Sequence, residues 1–78
     1  MHIHVILYSG FKKYAPGGGS GQFDLTLPPG ATFGLCLERL QFPENSEYTV
    51  LINGRRADRN SLLKEGDFLV IFPLICGG

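Results

Sequence analysis

The residues best placed to do chemistry stand at the end of the chain. From Asp67 an apolar run, Phe68-Leu-Val-Ile-Phe72, leads to Pro73, a short apolar tail and then Gly77-Gly78. The reading expected from this ending is a scaffold that presents a carboxylate on Gly78. Other candidates are sparser. Cys36 and Cys76 are too few for a disulfide framework, and no Cys/His cluster has metal-site spacing. His2 and His4 share a strand face at i, i+2, a geometry that can hold a metal. With no third ligand in sight they read as solvated strand histidines. Gly17-Gly18-Gly19 invites a phosphate-loop reading, but no Gly-Lys-Ser/Thr follows and no helix opens after it, which leaves a hairpin loop.

The elements that must position that ending can be read from periodicity. Residues 3–8 alternate, with Ile3, Val5 and Leu7 on one face and His4, Ile6 and Tyr8 on the other, which predicts a strand. Residues 9–21 read as a flexible glycine-rich connection. Within it Lys12 and Lys13 are solvated charges or, alternatively, contacts for an acidic partner. Residues 22–27 alternate again, with Phe23, Leu25 and Leu27 on one side, and complete a hairpin. Thr32 can cap a helix whose stripe is Phe33, Cys36, Leu37 and Leu40. Cys36 then reads as a small buried apolar residue, and Pro43 bars continuation. Gly34 weakens that helix.

Tyr48–Ile52 is a third strand, turned by Asn53-Gly54. Residues 55–66 read as an irregular connection anchored by Leu62 or Leu63. Glu65-Gly66-Asp67 is a tight turn into a last strand at 67–72. The continuous apolar run there predicts a central strand covered on both faces, or covered by the helix on one and by a partner on the other. A single helix covers a single face of the sheet. The other face would carry Ile6, Tyr8 and alternate residues of the last strand, an open apolar surface of the kind that marks interaction sites.

Length and charge set the bounds. Seventy-eight residues make one small domain with a modest core. Seven basic and seven acidic side chains cancel, which argues against a nucleic-acid partner. The Arg55, Arg56 and Arg59 cluster contains Asp58 and reads as a solvated turn. No signal peptide is visible, and no apolar run approaches a membrane span. The expectation is a soluble cytoplasmic protein with reduced thiols and no membrane partner.

The order strand, strand, helix, strand, strand before a terminal Gly-Gly resembles the β-grasp sulfur carriers of the MoaD/ThiS family, relatives of ubiquitin. Four stretches carry the resemblance: Thr32-Phe-Gly-Leu-Cys-Leu-Glu-Arg-Leu40, Val50-Leu-Ile-Asn-Gly54, Leu63-Lys-Glu-Gly-Asp67, and Phe72-Pro73 with Gly77-Gly78. They span nearly the whole chain in the family's order. The length and the Phe72-Pro73 pair resemble the MoaD branch, the small subunit of molybdopterin synthase. Leu74 replaces a second proline common there, Cys76 replaces a small or hydroxyl residue, and the Pro-Gly-Gly-Gly-Ser loop is unusually long.

The resemblance implies an α+β β-grasp fold: a mixed sheet of four to five strands with one helix on one face. Residues 1–72 would form the domain and 73–78 a flexible tail. It implies that Gly78, presented by Gly77, is adenylated and converted to a thiocarboxylate that donates sulfur, chiefly in molybdenum or tungsten cofactor biosynthesis. A carboxylate is a poor electrophile until its oxygen becomes a leaving group, so ATP is needed, and a MoeB/ThiF-like adenylating enzyme of the ubiquitin-activating type would use it. A persulfide donor and a MoaE-like large subunit, or another sulfur acceptor, complete the implied partners. The carrier itself would bind no cofactor or metal and would not be an enzyme. Tyr8, Phe68, Val70, Phe72, Pro73, Leu74, Ile75 and Cys76 are the implied partner-binding residues. Cys76 is either a relay for persulfide or acyl transfer or only a small tail residue. The alternatives to this function are a carrier for thiamine thiazole synthesis, a ubiquitin-like modifier joined through Gly78 to target lysines, and a plain β-grasp interaction module.

Overall fold

The structure, a computed structural model, describes residues 1–17 and 20–74. Strand β1 (His2–Leu7) is followed by a 3-10 helix (Ser9–Tyr14), β2 (Gln22–Thr26), helix α1 (Phe33–Arg39), β3 (Tyr48–Ile52), β4 (Arg55–Arg56) and β5 (Phe68–Pro73). The five strands form one mixed sheet in the order β2-β1-β5-β3-β4. β1 and β5 pair in parallel, and the other neighbours are antiparallel. No helix among the described residues is long and apolar enough to cross a membrane.

Strand parity decides the faces. The register Val5↔Leu69 and Leu7↔Ile71, with Val50 opposite Ile71, places these side chains on one side. All five are at most 1% exposed. Helix α1 closes that side with Phe33, Cys36, Leu37 and Leu40, the stripe expected from the 3.6-residue period. Thr32 caps the helix, its Oγ1 accepting from the Leu35 N–H at 3.4 Å. The Phe33 and Gly34 N–H groups donate to the carbonyls of Ser61 and Arg59, each at 2.9 Å, so the 59–61 backbone lies against the first turn. A Cβ on Gly34 would stand 3.2 Å from the Arg59 carbonyl oxygen, so the glycine that weakens the helix also permits this approach.

Several expectations change. The helix ends before Pro43, as expected, but its end has a structure of its own. This is a Schellman turn, with Gln41 donating to Glu38 O and Phe42 to Leu37 O, each at 3.0 Å, and with Gln41 at φ +62°. The 9–21 connection is not flexible throughout. Its first half is the 3-10 helix, in which Phe11 and Tyr14, three residues apart, pack on Phe42 with centroids 5.0 and 4.4 Å away. Residues 55–66 are not wholly irregular either. Asn53 (φ +53°) and Gly54 (φ +84°) make a turn with two left-handed residues, which returns Arg55–Arg56 onto β3 as β4. Leu63 is the core anchor of this stretch, and Leu62 is exposed. The last strand carries its ladder one residue past the expected end at 72, to Pro73 opposite Tyr48.

The two recognisable loop motifs prove to be halves of one hydrogen-bonded joint. The Asn53 Nδ2 donates to Asp67 Oδ1 at 2.8 Å, Asn53 Oδ1 accepts from the Phe68 N–H at 3.0 Å, and Asp67 Oδ2 accepts from the Lys64 N–H at 2.8 Å. Asp67 is the buried charged residue among the described residues, and these bonds replace the water it gives up. The joint sets where β5 starts and therefore which of its side chains face the helix.

Candidate functional site

The site is built by the exit of β5. This strand is central, flanked by β1 and β3, and it leaves the sheet beside the C-terminal end of β1 and the N-terminal end of β3. The Tyr8 N–H donates to Ile71 O at 3.0 Å, which ties the chain after β1 to the last turns of the ladder. Pro73 has no N–H to give, and the last bond is made by its neighbour: the Leu74 N–H donates to Glu47 O at 3.4 Å. Everything up to Leu74 is thus held by the sheet. Ile75, Cys76, Gly77 and Gly78, the expected reactive end, lie outside the described residues.

Behind the exit is the sheet face that α1 does not cover. The registers His4↔Phe68 and Ile6↔Val70, with Leu51 and Thr49 opposite Val70 and Phe72, place His4, Ile6, Phe68, Val70, Phe72, Thr49 and Leu51 on it. Phe68 and Tyr8 are 42% and 48% exposed, and Leu74 is exposed beyond them. Val70, Phe72 and Pro73 are half-buried. Five of the expected partner-binding residues, Tyr8, Phe68, Val70, Phe72 and Leu74, therefore gather on one surface leading into the tail, while Pro73, opposite Tyr48, falls by parity on the helix side. Among the described residues β5 is covered on one face only, so the expectation of cover on both faces is not met. Leu51 belongs to the same surface and was missed, because its face depends on the β3–β5 register rather than on its own strand's pattern.

Polar groups border this face. His4 Nδ1 lies 2.7 Å from Asp24 Oδ1, and its ring sits 5.0 Å from that of Phe68. His2 Nδ1 is 3.6 Å from a Glu65 oxygen. The two histidines are drawn to different carboxylates, and no group of three possible metal ligands occurs among the described residues. Cys36 lies in the core on the other side of the sheet, where burial pushes its thiol up to about 12. A thiol so reluctant to ionise is no nucleophile, as the apolar-stripe reading expects.

Comparison with known proteins bears on this arrangement. The family model described as "ThiS family" matches residues 6–78. No curated protein matches. Among solved structures, small archaeal modifier protein 1 of Haloferax volcanii superposes with a TM-score of 0.78 at 24% identity, covering all of both chains. A Pyrococcus furiosus protein described as molybdopterin converting factor, subunit 1, gives 0.77 at 21%, covering 96% of this chain and 99% of its own. The complex of subunits 1 and 2 of the Helicobacter pylori molybdopterin-converting factor gives 0.67 at 20% over the full length of both chains. At these identities the likeness is one of fold, the ubiquitin-like β-grasp.

Proposed function

The chain belongs to the ThiS family, and from that premise we propose that it is a sulfur carrier whose Gly78 carboxylate is adenylated and then converted to a thiocarboxylate. The observation that carries this reading is that the family match runs through residue 78, so the Gly-Gly pair falls within it. In the proposed sequence a MoeB/ThiF-like partner attaches AMP from ATP to the carboxylate and releases pyrophosphate. The terminal sulfur of a persulfide then attacks the acyl carbon as AMP leaves, giving an acyl disulfide, and a second thiol attacks the donor's sulfur, forming a disulfide with it and freeing the thiocarboxylate. In this reading the carrier needs no base, metal or nucleotide site of its own for these steps. It supplies reach from a fixed exit at Leu74, glycines that fit narrow sites, and a docking surface formed by Tyr8, Phe68, Val70, Phe72 and Leu74, continued by Ile75 and Cys76.

The acceptor proposed is a MoaE-like large subunit in molybdopterin synthesis. This is supported by the fold likeness to molybdopterin-converting factor subunits, one of them in complex with subunit 2. A carrier activated with ATP and reduced sulfur would work in the cytoplasm, which is the location proposed. A second reading, conjugation through Gly78 to target lysines, is favoured by the equally high similarity to a small archaeal modifier protein over the whole chain.

Mass spectrometry separates them. C-terminal peptide mapping first checks that Gly78 is the last residue in cells. Incubation with the adenylating enzyme, ATP and a persulfide donor should then replace one carboxylate oxygen by sulfur. A Gly-Gly remnant on target lysines with no such exchange would replace the carrier reading by the modifier one. Unchanged activity after deletion of Gly77-Gly78 would remove both.

A further inference from the structure

The second half of the tail-exit end is not apolar. A half-open cleft of about 400 Å³ lies between the end of the 3-10 helix and the end of α1, lined by Lys13, Tyr14, Ala15, Arg39, Leu40 and Gln41 among others, with no carboxylate in its lining. The 3-10 helix begins next to Tyr8, which is tied to Ile71. The 3-10 helix also lies against β5 itself, at the end of the molecule where that strand leaves the sheet. The end of α1 lines the cleft, and α1 lies on the covered side of the sheet. A partner that surrounds the tail therefore meets both the cleft and the apolar sheet face.

Individually its residues have ordinary explanations. Lys13 sits 5.3 Å over the Tyr14 ring, and Arg39 in the last turn suits the helix dipole. No Lys or Arg among the described residues forms an ion pair. What sets these two apart is that they line one cleft with no carboxylate beside them.

We propose that this cleft receives an acidic segment of the partner protein that takes the tail, with partner carboxylates paired to Lys13 and Arg39 and their methylene stems laid over Ala15, Leu40 and Tyr14. The chemistry disfavours a compact phosphate. Phosphate sites converge backbone N–H groups at a helix N-terminus, and the helix end here is a C-terminus, which has no free N–H groups to converge. Carboxylates spread along a peptide satisfy two separated cations and an apolar floor. The identity of the partner rests on the function proposed above, but the affinity of the cleft does not.

The test titrates a capped hexaglutamate peptide, and separately inorganic phosphate, into the isotope-labelled full chain while following backbone amide resonances. The expected result is saturable shifts at residues 13–15 and 39–41 with the peptide, weakened about tenfold in Lys13→Gln/Arg39→Gln, as loss of two solvent-screened contacts implies. Absence of saturation, an unchanged affinity in the double variant, or tighter binding of phosphate at the same amides would overturn the proposal. In the adenylation assay the double variant should raise the KM for the carrier about tenfold at low salt without lowering kcat. An unchanged KM overturns the partner assignment, whereas wild-type protein that is never adenylated overturns the sulfur-carrier reading instead.

Discussion

The two faces of the central strand are made from the same kinds of residue and have opposite fates. On one, Leu69 and Ile71 are fully buried against β1, β3 and α1. On the other, Phe68, Val70 and Phe72 are as apolar in type, yet they meet only His4, Ile6, Leu51 and Thr49 from neighbouring strands and then solvent. A chain of this size has one short α-helix to spend, and it covers one face. Apolarity in β5 therefore serves folding on one side and recognition on the other. Substitutions on the two sides should separate stability from binding.

The largest effect is expected on the covered face. Leu69→Ala leaves a cavity in the middle of the core and should cost about 2–5 kcal/mol. A domain of this length holds only roughly 4–12 kcal/mol in total. Thermal unfolding followed by circular dichroism should show a fall in Tm of tens of degrees, or a chain unfolded at room temperature. A cost below about 1 kcal/mol would mean that the covered face is not the core.

Next is the joint that decides which residues fall on which face. Asp67→Ala strips Asn53 Nδ2 and the Lys64 N–H of their acceptor and should cost about 2 kcal/mol. Because Asn53 also receives the Phe68 N–H, a double-mutant cycle between positions 53 and 67 should show clear coupling in urea unfolding. Additive losses would show that the two motifs act separately.

On the open face the expected order of effects reverses. Phe72→Arg should change stability by no more than about 1 kcal/mol, since its ring is half-buried and solvent is available to the new side chain. It should weaken binding of the adenylating or acceptor partner by at least about tenfold if Phe72 is an interface anchor. Calorimetric titration against the partner and a melting curve together settle the matter. A collapsed fold would place Phe72 in the core and erase the distinction between the faces.

Much of this division was legible in the amino-acid sequence, because strand alternation and the helical stripe report which residues share a face. Ile3/Val5/Leu7 and Phe33/Cys36/Leu37/Leu40 are buried as their periods imply. Asn53-Gly54 and Gly66 take the left-handed conformations that their types favour. What was not legible depends on contacts between distant segments. The 3-10 helix was hidden by the glycine and proline signals that follow it, and only the Phe11/Tyr14 spacing hints at its packing on Phe42. Pro43 was expected to bar continuation of the helix, and the helix does end before it. The observed stop is a left-handed Gln41, a conformation its side chain does not advertise. The basic cleft joins residues from two elements, so no local pattern shows Lys13 and Arg39 to be neighbours of one cavity.

The finest probe of the two-faced sheet is a titration. Cys36 lies among the covered residues, and burial raises its thiol from 9.0 to about 12. Between these values the unfolded chain loses the thiol proton while the folded chain keeps it. The unfolded state then binds fewer protons, and stability falls as pH rises. Below pH 9 both states are protonated and the thiol adds no pH dependence. At pH 10 the loss should amount to about 1.4 kcal/mol, the worth of one pKa unit. Other groups titrate in the same range, so the informative quantity is the difference between wild type and Cys36→Ala in urea unfolding. The gap in favour of wild type should shrink by that amount between pH 8 and pH 10. A gap that stays constant would mean that the thiol ionises as readily in the folded protein as in the unfolded chain. In that case α1 would not seal the face it covers, and the contrast between the two sides of β5 would be one of degree.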